Sequence, residues 1–303
     1  MPKMVTPQME RINRKNRKYK GKERVYSFTR DAWKRLRRNR TAVAGLCIIV
    51  ILIIVATFAD VIAPFDPAQT NYTDAYQTPS LKHLFGTDNL GRDLFSRCIF
   101  GARYSLPIGI ACMICAMIAG GIVGMVASFF GGKTDMIAMR AMDILQAIPG
   151  TLMAITIVAV LDTGMWQLIL AITVAFIPAF SKTVRAAVFT VRNNEYIEAS
   201  YSIGASNLRL VLRHMLPNAL GYIIIFAVGV VSAAIMTVSM LSYIGLGVKK
   251  PNPEWGSLLS SGREFLQSYP HMVIFPGLFI LITVLAFNLF GDGLRDALDP
   301  RLK

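Results

Sequence analysis

The sequence has little charge and few cysteines for its length. Only 17% of its 303 residues are Asp, Glu, Lys or Arg, whereas soluble domains carry about 25%. Hydrophobic residues make up 54% of the chain, and the mean hydropathy is +0.48. This composition argues against an ordinary soluble domain and favours a membrane protein.

Residues that usually perform catalysis or hold metals are scarce and dispersed. His83, His214 and His271 fall in predicted loops, and no Ser/His/Asp set or carboxylate pair stands out. Cys112 and Cys115 form a C-x-x-C pattern inside a long uncharged run, without the further ligands that complete a four-ligand site. We therefore interpret both cysteines as helix-packing residues, and we predict no catalytic residue, no cofactor and no metal.

Ionisable residues are almost absent from the apolar runs as well. Arg140 and Asp143 are the main exception, and their spacing of one helical turn allows them to pair. Charges at bilayer depth mark proton or ion relays in carriers and pumps. Their scarcity argues against a secondary carrier, which stays open as the alternative from another class, and indicates that the energy for any transport is supplied elsewhere.

The apolar runs predict an all-α membrane protein with six transmembrane helices. A spanning helix needs about 20 mostly apolar residues. The second run contains Gly120, Gly121 and Gly124, a spacing of small residues that lets helices approach closely. The predicted spans are residues 42–59, 104–130, 136–161 with an interruption at Pro149-Gly150, 164–180, 219–248 and 272–291.

Positive charge is concentrated at the N-terminus. Residues 1–41 hold fifteen of the 32 Lys and Arg and three of the 18 acidic residues. With this tail inside the cell, the inner segments hold 25 basic residues and the outer segments 7, so both termini are predicted to be cytoplasmic. A basic tail can bind nucleic acid or anionic lipid, but an apolar run follows at once. We therefore interpret it as orienting the first helix, with membrane lipid and no nucleic acid as its surroundings.

These features divide the chain into three predicted parts. Residues 1–41 form the basic cytoplasmic tail, and residues 42–103 the first transmembrane helix with an extracytoplasmic loop. Residues 104–303 form a core of five helices, in which the inner loop 181–218 is the longest cytoplasmic connection. Gly204 is the expected bend of this loop, and Pro217 lies just before the next span.

The inner loop carries a motif with fixed spacing, EYIEASYSIGASNLRLVLRHMLPN at 195–218. Glu-Ala-Ser at 198–200 is followed after three residues by Gly204, and nine residues later by His214-Met215-Leu216-Pro217. This motif resembles the E-A-A…G…I-x-L-P signature of the transmembrane subunits of ABC importers, with Ser200 in place of Ala and His214 in place of an apolar residue. Stretches at 85–106, 242–247, 254–259 and 291–303 look like the C-type permease subunit of dipeptide and oligopeptide importers.

The resemblance covers the chain from about Asp31 onward and implies the fold of a type I ABC importer permease in a bacterial or archaeal cytoplasmic membrane. It implies a homologous second permease subunit as partner, two ATP-binding subunits docked on the inner loop, and an extracytoplasmic solute-binding protein that delivers di- or oligopeptides. Nickel, glutathione or another small solute stays open as the cargo. The ATPase-coupling residues that it implies are Glu198, Ala199, Ser200, Gly204, Ala205, Leu216 and Pro217.

The residue types of the motif suit such a contact. The small residues permit a flat surface that sits in a partner's groove, and Glu198 can supply a charge-assisted hydrogen bond.

One stretch competes with this interpretation. ASFFGGKT at 127–134 approximates the phosphate-binding loop G-x-x-x-x-G-K-[ST], which would make the chain itself an ATPase. A working phosphate loop follows a short buried strand, whereas a long uncharged run precedes this stretch. We interpret it as the inner turn between the second and third helices, ended by Gly131 and Gly132, with Lys133 on the positive inner side.

Overall fold

The computed structural model describes residues 33–249 and 251–298. Expectations for the tail up to residue 32, for Lys250 and for residues 299–303 lie outside this part of the chain. The principal helices are α1 (Arg40–Thr57), α2 (Leu94–Phe130), α3 (Gly132–Ala147), α4 (Gly150–Leu161), α5 (Met165–Arg192), α6 (Glu195–Ser202), α7 (Leu216–Tyr243), α8 (Trp255–Gly262) and α9 (His271–Leu298). Shorter helical segments occupy Ala59–Ile62, Tyr72–Asp74, Asn207–Arg209, Leu210–Met215 and Arg263–Phe265.

The predicted all-α architecture with six spans is confirmed. Four spans are α1, α2, α5 and α9, and a fifth is the continuous stretch Asn207–Tyr243 that contains α7. The sixth is the pair α3 and α4, which passes the same test of length and hydropathy but bends by 81° at its break. The break falls at Pro149, as predicted, because proline lacks the N–H that would continue the helix.

Several helices, α2 and α5 among them, extend beyond the uncharged runs that predicted them. Helix α2 begins at Leu94, where the Asp93 carboxylate accepts a hydrogen bond of 2.7 Å from the Ser96 N–H. Its first turns tolerate arginine because Arg97 donates to the Pro67 carbonyl at 2.8 Å and Arg103 pairs with Asp60. Helix α5 continues beyond the predicted end at residue 180 to Arg192. The start predicted for α2 and the end predicted for α5 from uncharged residues therefore both lie inside the observed helices.

The centre of the bundle is the contact between α2 and α5. Gly120 and Gly124 face α5 so closely that an added Cβ would lie 2.6 Å from the Ile177 carbonyl oxygen and 2.3 Å from that of Ser181, respectively. Only glycine permits this approach of two backbones. Gly121 belongs to the same turn but has no atom within 4 Å of such a Cβ.

These glycines give a prediction with an internal control. Gly124→Ala should destabilise the fold by about 1–3 kcal/mol because the backbones must separate. Gly121→Ala should have little effect, since the added methyl group meets open space. Thermal unfolding of the two purified variants checks the difference. Equal melting temperatures for the two variants would contradict the α2–α5 contact.

At the opposite end of α2 from Phe130, the chain folds into a compact cap around α8. Trp255 is fully buried and donates from Nε1 to the Cys98 carbonyl at 2.9 Å. The Glu254 carboxylate caps α8 by accepting from the N–H groups of Gly256 and Ser257, each at 2.9 Å. Burial raises the pKa of the Glu254 carboxyl, and these N–H groups oppose that shift.

The histidines were predicted to be scattered in loops, but His83 and His271 are both buried and have polar partners. His83 Nδ1 lies 2.9 Å from the Asp93 carboxylate, and the His83 ring stacks on Phe65. This contact ties the segment before α2 to the cap residue of the helix. Cys112 and Cys115 were both interpreted as helix-packing residues. This interpretation holds for Cys112, which is buried, but not for Cys115, which is exposed on the surface of the chain.

The stretch ASFFGGKT is the turn between two helices. Helix α2 ends at Phe130, Gly131 adopts φ +65°, and α3 begins at Gly132 with Lys133 exposed. A membrane-length helix occupies the place where a phosphate-binding loop requires a strand. The predicted helix–helix turn is confirmed.

Candidate functional site

The motif of the inner loop forms a short helix with a defined end. Two residues separate α6 from the end of α5, and α6 stops at Ser202, two residues before Gly204, which adopts φ +82°. The N–H of Gly204 donates to the Tyr201 carbonyl at 3.0 Å, and the N–H of Ala205 donates to that of Ser200 at 3.2 Å. This left-handed cap favours glycine, so the predicted bend at Gly204 is confirmed. We call residues 195–217 the coupling segment.

One side chain fastens α6 to the bundle. Ile197 is 5% exposed and packs in a cluster with Val188 and Val191 of α5 and with Met215 and Ala219 near the start of α7. The rest of α6 is largely exposed. Ile197 therefore attaches this short helix to two spans.

The exposed face of the coupling segment combines acidic, small and large apolar side chains. Glu198, Ala199, Gly204 and Pro217 are exposed, whereas Ser200, Ala205 and Leu216 are half-buried. Leu216 packs against the cluster around Ile197 and therefore belongs to the support of the segment. Of the seven predicted residues, four therefore belong to the exposed surface of the segment and three lie partly buried beneath it.

Exposed apolar residues of the segment lie outside the motif positions. Tyr201, Ile203 and Leu208 are 66%, 86% and 68% exposed, at the end of α6 and just beyond it. Apolar side chains that are clustered and exposed mark a protein contact rather than a solvated surface. The sequence shows that these residues lie in or next to a polar helix. It does not show that they are exposed, because that depends on which face of α6 packs against the bundle.

The connection from the coupling segment to α7 is irregular. Residues Leu210–Met215 form a π-helix that leads directly into α7, so Pro217 lies within a continuous helical path. Asn218 Nδ2 donates to the His214 carbonyl at 2.6 Å, beside the place where proline supplies no N–H. Short π-helical segments frequently occur at functional sites. Their formation here was not evident from the motif.

Ion pairs join α3 and α5 just beyond the coupling segment. Arg185 makes two hydrogen bonds of 2.5 Å to the Asp135 carboxylate, and Lys182 lies 2.7 Å from Asp143. The predicted pair between Arg140 and Asp143 is present at 3.9 Å, and Lys182 is the closer partner of Asp143. These contacts fix the inner end of α3 to the helix that carries the coupling segment.

A cavity of about 570 Å³ lies between α5, α7 and α9. Apolar residues such as Phe176 and Phe226 line it, together with Asn288, Asp292 and Arg295 of α9. Its walls include the two helices, α5 and α7, between which Ile197 packs. The coupling segment is therefore attached to helices that border this cavity.

The site is thus a short, exposed helix attached to one end of a bundle of membrane spans. The model of the family described as "Binding-protein-dependent transport system inner membrane component" matches residues 116–303. A second model, "N-terminal TM domain of oligopeptide transport permease C", matches residues 27–79. The chain belongs to the family of binding-protein-dependent transport system inner membrane components, and it is a multi-pass membrane protein.

Curated relatives match nearly the whole chain. The dipeptide transport system permease protein DppC of Alkalihalophilus pseudofirmus is 42% identical and the alignment covers 90% of each chain. The oligopeptide transport system permease protein OppC of Bacillus subtilis is 44% identical over 91% of each chain. The glutathione transport system permease protein GsiD of Escherichia coli is 42% identical over 90% of each chain.

A solved structure shares the fold. The methionine ABC transporter MetNI in an inward-facing conformation matches with a TM-score of 0.57 and 18% identity, over 67% of this chain and 96% of that chain. This similarity confirms the predicted fold of an ABC importer permease.

Proposed function

We propose that this chain is the permease subunit of an ATP-driven importer that carries di- and oligopeptides across the cytoplasmic membrane of a bacterium or archaeon. The observation that carries the proposal is the coupling segment, an exposed helix attached by Ile197 to helices that border a central cavity. The peptide cargo is supported by the dipeptide and oligopeptide permeases that are 42% and 44% identical to this chain.

The proposed assembly contains a homologous second permease subunit, two ATP-binding subunits and an extracytoplasmic solute-binding protein. One ATP-binding subunit docks on Glu198 and the apolar side chains around Ile203. Both termini of the permease chain lie on this same, cytoplasmic side of the membrane. ATP hydrolysis takes place on those subunits. The excess of basic residues in the inner segments supports this orientation.

Charge reversal on α6 tests the docking. Glu198→Arg should reduce ATPase association and ATP-dependent peptide uptake at least tenfold, because it replaces an acceptor at the contact with a repelling cation. Glu195→Arg is the matched control, since Glu195 is also exposed in the first turn of α6 but precedes the Glu-Ala-Ser signature, which starts at Glu198. Co-purification of the ATP-binding subunits and uptake of labelled dipeptide measure both steps. Normal uptake by the Glu198→Arg complex would exclude the proposed docking.

The cargo is tested by uptake in a strain that lacks its own peptide importers. Cells that express the whole assembly together with its solute-binding protein should accumulate labelled di- or oligopeptides and no nickel. Competition by a hundredfold excess of unlabelled peptide should remove the signal. Accumulation of nickel alone would contradict the peptide assignment.

Glutathione is the second candidate cargo, because a glutathione permease is 42% identical over 90% of the chain. Glutathione is itself a tripeptide, so both cargoes require the same path for a flexible, charged, peptide-like solute. Direct comparison of labelled glutathione with a labelled tripeptide of ordinary linkage separates the two. Preferential uptake of glutathione would assign the transporter to that cargo.

A further inference from the structure

A basic segment directly precedes the first membrane span. Residues 33–36 form a helical turn, in which the Arg37 N–H donates to the Trp33 carbonyl at 3.0 Å. The side-chain oxygen of Asn39 then caps α1 by accepting from the N–H groups of Thr41 and Ala42 at 3.1 and 3.2 Å. We call residues 34–40 the basic segment. Its position is thereby fixed relative to the start of the span.

The basic segment is also fastened to the last helix. Leu36 is 5% exposed and packs in one cluster with Ala42 of α1 and Ala297 of α9. Asn39 Nδ2 donates to the Asp296 carboxylate at 3.4 Å. An added Cβ on Gly293 would lie 2.1 Å from the Ala42 Cβ, so the two helices are in close contact here. The segment therefore has a defined place against α9.

Its cationic side chains face outward. Lys34, Arg37, Arg38 and Arg40 are exposed, and none of the four makes an ion pair within residues 33–249 and 251–298. Arg40 is the first residue of α1, and the apolar span follows it at once. Four cations thus lie where the polar headgroups of a bilayer begin.

An exposed aromatic residue completes the arrangement. Trp33 is 53% exposed although it is large and apolar, and it lies one turn before the helix cap. Tryptophan is enriched at the level of the headgroups, where one edge of its ring is apolar and the other can donate a hydrogen bond. A solvated run of lysine and arginine needs no such residue.

We propose that Lys34, Arg37, Arg38 and Arg40, together with Trp33, form a binding site for the headgroups of anionic phospholipids. Guanidinium groups donate paired hydrogen bonds to phosphate oxygens, and lysine adds a point charge. Near an anionic membrane surface each Lys or Arg strengthens the attraction roughly fivefold. The four cations together therefore select anionic over zwitterionic lipid.

The site is connected through α9 to the cavity between α5, α7 and α9. The C-terminal half of that helix carries Asp296, which contacts Asn39, and also Asn288 and Asp292, which line the cavity. Lipid bound to the basic segment steadies the inner end of α9. Anionic lipid is therefore expected to raise the thermal stability of the folded chain.

The test uses the purified full-length chain and counts retained lipid by native mass spectrometry. Phosphatidylglycerol should be retained at least tenfold more than phosphatidylcholine, and 0.5 M salt should weaken the retention because it screens the charges. The variant K34Q/R37Q/R38Q/R40Q should lose this preference. The control variant K15Q/R17Q/K18Q/K20Q removes the same number of charges from residues 1–32 and should keep it.

Thermal unfolding in nanodiscs provides a second readout. The unmodified chain and the control variant should melt at a higher temperature in phosphatidylglycerol than in phosphatidylcholine, and the K34Q/R37Q/R38Q/R40Q variant should show no such difference. Equal loss of lipid retention in both variants would overturn the proposal, since total tail charge would then explain binding. So would full displacement of the lipid by millimolar inorganic phosphate, or preferential retention of a single-stranded RNA probe by the same four residues.

Discussion

Ile197→Asp is expected to abolish ATP-driven uptake while the protein remains in the membrane. Ile197 fastens α6 to the cluster formed by Val188, Val191, Met215 and Ala219. A carboxylate at this buried position has no partner in the cluster, and burial of an unpaired charge costs several kcal/mol. The helix would separate from the bundle rather than bury the charge. ATP-dependent uptake should fall at least a hundredfold.

A second variant distinguishes the loss of attachment of α6 from a loss of docking. Ile203→Asp changes a side chain that is 86% exposed, so it should weaken the contact with the ATP-binding subunit without loosening α6. Hydrogen–deuterium exchange of α6 in the isolated permease should increase for Ile197→Asp and stay unchanged for Ile203→Asp. Ile197→Val, which keeps the apolar contact, should retain uptake. Unchanged exchange in Ile197→Asp would show that Ile197 does not hold the helix.

The architecture of this protein is determined by features that a sequence displays directly. The apolar runs predicted the six spans, and the pattern at Pro149 predicted the break between α3 and α4. Gly131 and Gly204 predicted two helix ends because glycine alone adopts their backbone geometry at no steric cost. These features are local, so a single sequence is sufficient to read them.

Other features depend on contacts between distant residues. The first turn of α2 tolerates Arg97 because its side chain donates to a carbonyl thirty residues earlier, at Pro67. Lys182, rather than Arg140, is the closer partner of Asp143 because α3 and α5 lie side by side. No spacing rule within one helix reports such pairs. The same reason explains why the buried pair of His83 and Asp93 was missed.

The coupling segment shows both cases at once. Its motif and the bend at Gly204 were evident from spacing, and the turn geometry agrees. Which side of α6 is buried was not evident, since a helix of eight residues has too few apolar positions to define a face. As a result, the burial of Ile197 and the exposure of Ile203 emerge only from the packing.

The second large effect is expected at Trp255. This indole is fully buried in the cap at the far end of α2, and its Nε1 donates to the Cys98 carbonyl at 2.9 Å. Trp255→Ala removes a fully buried indole from the apolar cluster and leaves a cavity. Losses of this kind cost about 3–5 kcal/mol. Trp166→Ala is the matched control, because Trp166 is 72% exposed and should matter little.

The neighbour of Trp255 makes the prediction more specific. Gly101 lies so close that an added Cβ would be 2.5 Å from the indole Cδ1 and 2.7 Å from the Pro253 carbonyl oxygen. Gly101→Ala alone should therefore cost about 1–3 kcal/mol through overpacking. Part of this cost disappears once the indole is removed, while the part due to Pro253 remains.

The double variant Gly101→Ala/Trp255→Ala should consequently be more stable than the sum of the two single losses predicts. Residues in contact typically show such coupling energies of about 0.5–3 kcal/mol. Thermal unfolding of the four purified proteins, all in the same lipid, measures the coupling. Strictly additive losses would mean that Gly101 and Trp255 do not touch, and that the cap is held by the Glu254 carboxylate and its two N–H donors instead.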